Sequence, residues 1–174
     1  MKKALWVLLG LLMTSPVFAE EMKTFNNTNP SYTLDYPADW QVMADEKEGI
    51  VQFRAPAQGP KDLFSENITI ATEDLTDEPE LQNLDAYENQ TRKDVEAKIA
   101  DYKLEDEFMI RRHGIEFQCL EFTGTYQSAP VKIRQYIFVV GKTGYVFSYV
   151  AKPETFDTYL AASYHIARSL KING

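Results

Sequence analysis

The chain is poor in cysteine, histidine and positive charge. A single cysteine, Cys119, excludes an intramolecular disulfide. Two histidines leave few members for a catalytic triad or a multi-histidine metal site. Lys and Arg number 18 against 26 Asp and Glu, which gives a formal net charge of −8. Because an acidic chain is repelled by nucleic-acid phosphates and by anionic lipid surfaces, we expect no nucleic-acid partner.

Long apolar runs are also scarce, and the most pronounced one covers residues 4–13, directly after two lysines. A small residue, Ala19, then precedes two glutamates. This order is typical of a secretory signal peptide. The run is shorter than the about 20 apolar residues of a permanent transmembrane helix. We therefore predict a cleaved signal peptide over residues 1–19, cleavage near Ala19, and a periplasmic or secreted protein without a permanent membrane anchor. No cysteine stands at the cleavage position to carry a lipid.

The remaining chain, residues 20–174, has the length of one domain. It is long enough to close a hydrophobic core without disulfides. Loss of the two leader lysines would make its formal charge −10. The simplest explanation of this acidity is solubility, and an acidic docking surface is the alternative.

Alternation of apolar and polar residues predicts a domain rich in β-strands. The predicted strands cover residues 31–36, 41–44, 49–55, 66–72, 104–112, 115–126, 131–140 and 145–151. The last two carry apolar residues on both faces, so both faces must be covered, and we expect them at the centre of the sheet.

Two segments change to the helical period. Asn83 is a favourable N-cap, and a stripe at 3.6-residue spacing predicts a helix over residues 84–101. That stripe comprises Leu84, Tyr87, Thr91, Val95, Ile99 and Tyr102. A second helix is predicted to start at Phe156, with His165 on its solvent side. Its apolar stripe comprises Phe156, Tyr159, Leu160, Ser163, Tyr164, Ala167 and Leu170. Strands in runs, with few helices between them, predict an α+β fold: a mostly antiparallel sheet of six or seven strands flanked by helices.

Several motifs, taken in order, resemble the PsbP-like superfamily, which includes the photosystem II extrinsic protein PsbP and DcrB-type bacterial exported proteins. The quoted stretches are Tyr32–Trp40, Asn83–Tyr87, Gly144–Tyr149, Phe156–Tyr159 and Ser169–Ile172. The resemblance implies an α/β/α sandwich over residues 20–174. It also implies an accessory or binding role, since members of this group mostly have no established catalysis.

Catalytic signatures are missing from the sequence. It contains no Gly-x-Ser-x-Gly elbow, no His-Glu-x-x-His motif and no phosphate-binding glycine loop. Cys119 lies in an apolar strand and is predicted to be a buried, inert thiol. His113 is predicted to be a solvated turn residue, and Trp40 a core residue. The acidic clusters at 73–80 and 105–107 lack the spacing of a calcium loop and are predicted to be solvated.

We therefore predict no catalytic, cofactor-binding or metal-binding residues, and a non-enzymatic accessory or binding protein of the bacterial cell envelope. Its partner would be an envelope protein or a ligand. One alternative is a small envelope hydrolase or ligand carrier with an acidic site, which paired carboxylates in a cleft would favour. Another is a structural or stress-related envelope factor.

Overall fold

The computed structural model describes residues 21–45, 47–60 and 64–173. The predicted signal peptide, residues 1–19, lies outside the described residues. The described chain contains a seven-stranded antiparallel sheet, a separate three-stranded sheet and two α-helices. The fold is thus α+β, as predicted.

The strands and helices are numbered in chain order. They are β1 Met22–Thr28, β2 Ser31–Pro37, β3 Gln41–Asp45, β4 Ile50–Arg54, β5 Asn67–Asp74, α1 Leu84–Lys98, β6 Ala100–Arg112, β7 Ile115–Tyr126, β8 Ala129–Val140, β9 Thr143–Ala151, α2 Phe156–Ser169 and β10 Lys171–Ile172. A short 3₁₀ turn, Pro79–Leu81, precedes α1.

The large sheet has the strand order β3-β4-β5-β9-β8-β7-β6. The two strands that are apolar on both faces, β8 and β9, lie inside it, as predicted. One face is covered by α1, which packs on buried residues such as Leu120, Phe122 and Ile137. The other face is covered by α2 together with the small sheet. Two covering layers around one sheet give the expected α/β/α arrangement.

The small sheet differs from the sequence prediction. Strand β2 was expected among the strands of a single sheet, but it pairs instead with β1 and β10. Neither β1 nor β10 was predicted, because β1 is mainly polar and β10 has two residues. The small sheet reaches the core through the Phe25 ring, which lies edge-on to Phe53 at 5.5 Å.

Helix α1 is shorter than predicted at its C-terminal end. The Asn83 side chain accepts a hydrogen bond from the Ala86 N–H at 2.9 Å, so the start is as predicted. The helix ends at Lys98, however, and Ile99 has extended backbone angles. Ile99 packs directly over Gly124 of β7. This contact turns the chain into β6, and Tyr102 therefore lies in a strand and not on the helix.

Helix α2 begins at Phe156, as predicted, and His165 is exposed on it. The predicted apolar stripe needs one correction. Ile166, which the stripe omitted, is fully buried, whereas Tyr164 is 41 % exposed. Tyr164 is exposed because its side of the helix does not face the core: it borders the cavity described next.

Candidate functional site

A cavity of about 490 Å³ lies between the C-terminal half of α2 and strands β6 and β7. It exists because α2 packs chiefly against β2, with the small sheet beside it. On this face of the sheet they cover the β4, β5 and β9 side, and α2 stands away from strands β6 and β7 across the cavity. The volume falls within the about 300–1,000 Å³ typical of small-molecule sites.

Aromatic side chains form the floor of the cavity. Tyr136 and Phe138 come from β8 and Phe147 comes from β9. The rings of Tyr136 and Phe147 meet edge-on with centroids 5.7 Å apart. Because side chains alternate along a strand, the same pattern that makes β8 and β9 apolar on both faces aims these rings at the cavity.

A two-stranded ribbon forms one wall. Strand β7 pairs with β8 only from Gln118 onward, so residues 110–117 of the β6–β7 hairpin pair only with each other. The ribbon turns at His113 and Gly114, whose φ values of 51° and 82° are those of a tight hairpin turn. Phe117 holds the ribbon against the sheet, with its ring 4.6 Å from that of Phe138. The wall facing the cavity is therefore apolar.

Helix α2 forms the opposite wall with Tyr164, Ala167 and Leu170. Tyr164 is fixed from below by Arg134 of β8, whose guanidinium lies 5.0 Å from the ring centroid and donates a hydrogen bond to the hydroxyl. Arg134 is itself bound by the Glu121 carboxylate. An ion pair on the sheet thus positions one side of the apolar cavity.

Lys132 also binds Glu121, at 2.7 Å, and Glu105 at 3.0 Å. Burial by itself raises the pKa of the Glu121 carboxyl, but hydrogen bonds from Lys132 and Arg134 outweigh it and hold that pKa below its ordinary value. The carboxylate therefore stays ionised and keeps both cations in place.

The mouth of the cavity is cationic. Arg111, Arg112 and His113 line it from the hairpin turn, and Arg168 lines it from α2. Among the described residues that line the cavity there is no Asp or Glu. The arrangement is thus an apolar chamber with a basic rim, which differs from the acidic site of the alternative hypothesis.

The structure places two of the other singled-out residues, Cys119 and Trp40, in the hydrophobic core. Cys119 is fully buried, as predicted, and its burial raises the pKa of the thiol to about 12, with Arg134 opposing only in part. Trp40 is buried, as predicted, with its ring edge-on to Tyr159 at 5.9 Å. His113 is an exposed turn residue, as predicted, although the prediction did not connect it with a cavity.

The acidic cluster at 105–107 is not a free solvated run. Glu105 pairs with Lys132, and Glu107 pairs with Arg92 at 2.7 Å. Both carboxylates therefore tie strand β6 to other parts of the fold. Over the described ranges, no group of three or more His, Cys, Asp or Glu is placed to hold a metal ion. No helix within those ranges has the length and apolar content to cross a membrane.

Sequence comparisons identify no relative of this chain: no family model matches it, and no curated protein matches it. Its fold does match solved structures. PA94 from Pseudomonas aeruginosa, a protein of unknown function, matches with a TM-score of 0.62 at 18% identity, over 88% of this chain and 98% of its own. The cyanobacterial PsbP of Synechocystis sp. PCC 6803 matches with a TM-score of 0.62 at 16% identity, over 94% and 99%.

A third match is LpqN, which is described as involved in cell envelope biogenesis of Mycobacterium tuberculosis. Its TM-score is 0.60 at 12% identity, over 90% of this chain and 92% of LpqN. These likenesses define a PsbP-like fold, in agreement with the motifs in the sequence.

Proposed function

We infer that the chain is a non-enzymatic accessory protein of the bacterial cell envelope that binds a ligand in the apolar cavity beside α2. The cavity is the observation that carries this proposal. The rings of six Phe and Tyr side chains line a volume of about 490 Å³: Phe108, Phe117, Tyr136, Phe138, Phe147 and Tyr164. An apolar chamber of this size with few polar groups is typical of a site that holds a small molecule.

Two observations support the proposed location in the cell envelope. The first is the predicted signal peptide over residues 1–19. The second is the likeness in fold to LpqN, a protein with a role in the cell envelope. An exported carrier or sensor that encloses a poorly soluble molecule fits both.

The proposal favours binding over catalysis. General acid–base chemistry needs a positioned proton donor or acceptor next to the substrate. Among the described lining residues the titratable groups are arginines, tyrosines and one exposed histidine, and none belongs to a carboxylate pair. The hydrolase alternative therefore gains no support at this cavity.

A neutral apolar dye, N-phenyl-1-naphthylamine, tests the proposal. Its fluorescence should rise saturably when it is titrated with the purified protein. Ala167→Phe should fill the cavity and weaken the apparent affinity about tenfold or more. Ala161→Phe is the matched control, because the same change then lies on the exposed side of α2. Thermal unfolding would establish that each variant folds, with Leu170→Trp as a second filling variant. Absence of dye binding, or equal binding by the filled variants, would overturn the proposal.

A further inference from the structure

The mouth of the cavity is positively charged on a chain that is acidic as a whole. The chain carries a formal charge of −8, yet three arginines and one histidine surround the opening. Salt screens charges that are more than a Debye length away, about 8 Å at physiological salt. A ligand at the opening therefore responds to the nearby arginines more strongly than to the net charge of the chain. The basic rim is therefore a feature of this site and does not follow from composition.

Two of these arginines are available to a ligand. Arg111 forms an exposed ion pair with Glu116 at 3.3 Å. Arg112 and Arg168 form no ion pair within the part of the chain that the structure describes. They approach the opening from two different elements, the β6–β7 turn and α2. A guanidinium binds carboxylate or phosphate through paired N–H donors.

We propose that the cavity holds a single-chain anionic amphiphile, with its acyl chain between α2 and the β6–β7 ribbon and its acidic headgroup at Arg112 and Arg168. This inference rests on the proposed function and adds the chemical class of the ligand. The aromatic floor takes the apolar chain out of water. The arginines of the rim then contact the charged headgroup, which must remain at the protein surface. A neutral apolar ligand would leave these two cations unused.

The occupant is one enclosed molecule and not the surface of a bilayer. A chamber of about 490 Å³ lies beside the rim, a volume within the range of sites that enclose most of a small ligand. An anionic bilayer would repel the remaining acidic surface. Charge complementarity therefore favours an extracted amphiphile.

Displacement of the bound dye by three amphiphiles with the same chain tests the headgroup. Laurate, lauryl alcohol and lauryltrimethylammonium would each be titrated below its micelle concentration. Laurate should displace the dye at a concentration about tenfold lower than lauryl alcohol, and the cationic compound should be the weakest. Added salt should weaken displacement of the dye by laurate and leave displacement by lauryl alcohol unchanged.

Paired variants separate the rim from net charge. Arg112→Gln with Arg168→Gln should remove the preference for laurate over the alcohol, with each displacement constant corrected for the dye affinity measured on the same variant. Lys93→Gln with Lys98→Gln changes net charge equally on α1, on the other face of the sheet, and should keep the preference.

Equal displacement by laurate and the alcohol would overturn the inference while the proposed function stands. Co-sedimentation with anionic phosphatidylglycerol vesicles supplies a second check. If the cavity-filled variant sedimented with the vesicles as well as the original protein does, the inference would also be overturned, and the basic rim would instead bind a membrane surface. Failure of the dye itself to bind would instead remove the proposed function.

Discussion

Gly144 of strand β9 lies directly beneath the ring of Tyr87 on helix α1. A Cβ at Gly144 would stand 2.3 Å from Cζ of Tyr87, well inside van der Waals contact. Tyr87 is buried at this point, so its ring has little room to move away. The glycine is thus required by packing between the helix and the central strand, since its φ is not in the left-handed region.

Gly144→Ala should therefore destabilise the fold by about 1–3 kcal/mol, the usual cost of overpacking a core. Urea unfolding followed through the fluorescence of buried Trp40 would measure it. A double-mutant cycle with Tyr87→Leu supplies the control. The alanine should cost less once the ring is gone, and an equal cost in both backgrounds would contradict the contact.

The N-cap of α1 gives a second stability prediction. Asn83 Oδ1 accepts the Ala86 N–H, one of the amide groups that a helix start leaves without an internal partner. Asn83→Ala should cost about 1 kcal/mol. Asn89→Ala, in the middle of the same helix and exposed, should be neutral or slightly stabilising, because alanine is the better helix former. Similar losses in both variants would argue against a capping role.

The strands and helices whose buried residues recur at a regular spacing could be predicted from the sequence. Strands β8 and β9 have apolar residues on both faces, and Asn83 marks the start of α1. The elements that were missed have no such pattern. Strand β1 is mainly polar, and the end of α1 depends on the contact of Ile99 with Gly124, which are 25 residues apart in the chain.

The candidate site was harder to predict, because it depends on where α2 lies across the sheet. In the sequence, Phe138 and Phe147 are as consistent with a filled core as with a cavity wall. Nothing in the sequence indicates that α2 leaves part of the sheet face around them uncovered. Arg111 and Arg112 were predicted only as the end of a strand, and His113 only as a turn residue. Their relation to Arg168 follows from the fold, which brings residues 55 or more positions apart to one opening.

Cys119 should be inert in the native protein. Its thiol is fully buried, and burial raises its pKa to about 12, so the reactive thiolate is scarce at neutral pH. Labelling by a disulfide reagent at about pH 8 should be orders of magnitude slower in buffer than in denaturing urea. Cys119→Ala gives the background signal. Rapid stoichiometric labelling without denaturant would show that the thiol is accessible.

Glu121 predicts how stability depends on acid. Because Lys132 and Arg134 hold the pKa of its carboxyl below the ordinary value, its contribution is present at neutral pH. The contribution is lost as the pH falls below the ordinary carboxyl pKa and through the lowered one. Glu121→Gln should therefore cost about 3 kcal/mol at neutral pH, the lower end for one member of a buried ion pair, since Lys132 keeps Glu105.

The same variant should lose less stability than the original protein as the pH is lowered from about 5 to 3. Urea unfolding at a series of pH values measures both quantities. Glu154→Gln is the matched control, because Glu154 is exposed and lies outside this ion-pair network. The difference in pH-dependent stability between the two variants then reports the contribution of Glu121. If both variants lost stability equally over this range, Glu121 would not be held ionised by its two cations. Arg134 also positions Tyr164, so Glu121→Gln should weaken dye binding in the cavity, whereas Glu154→Gln should not.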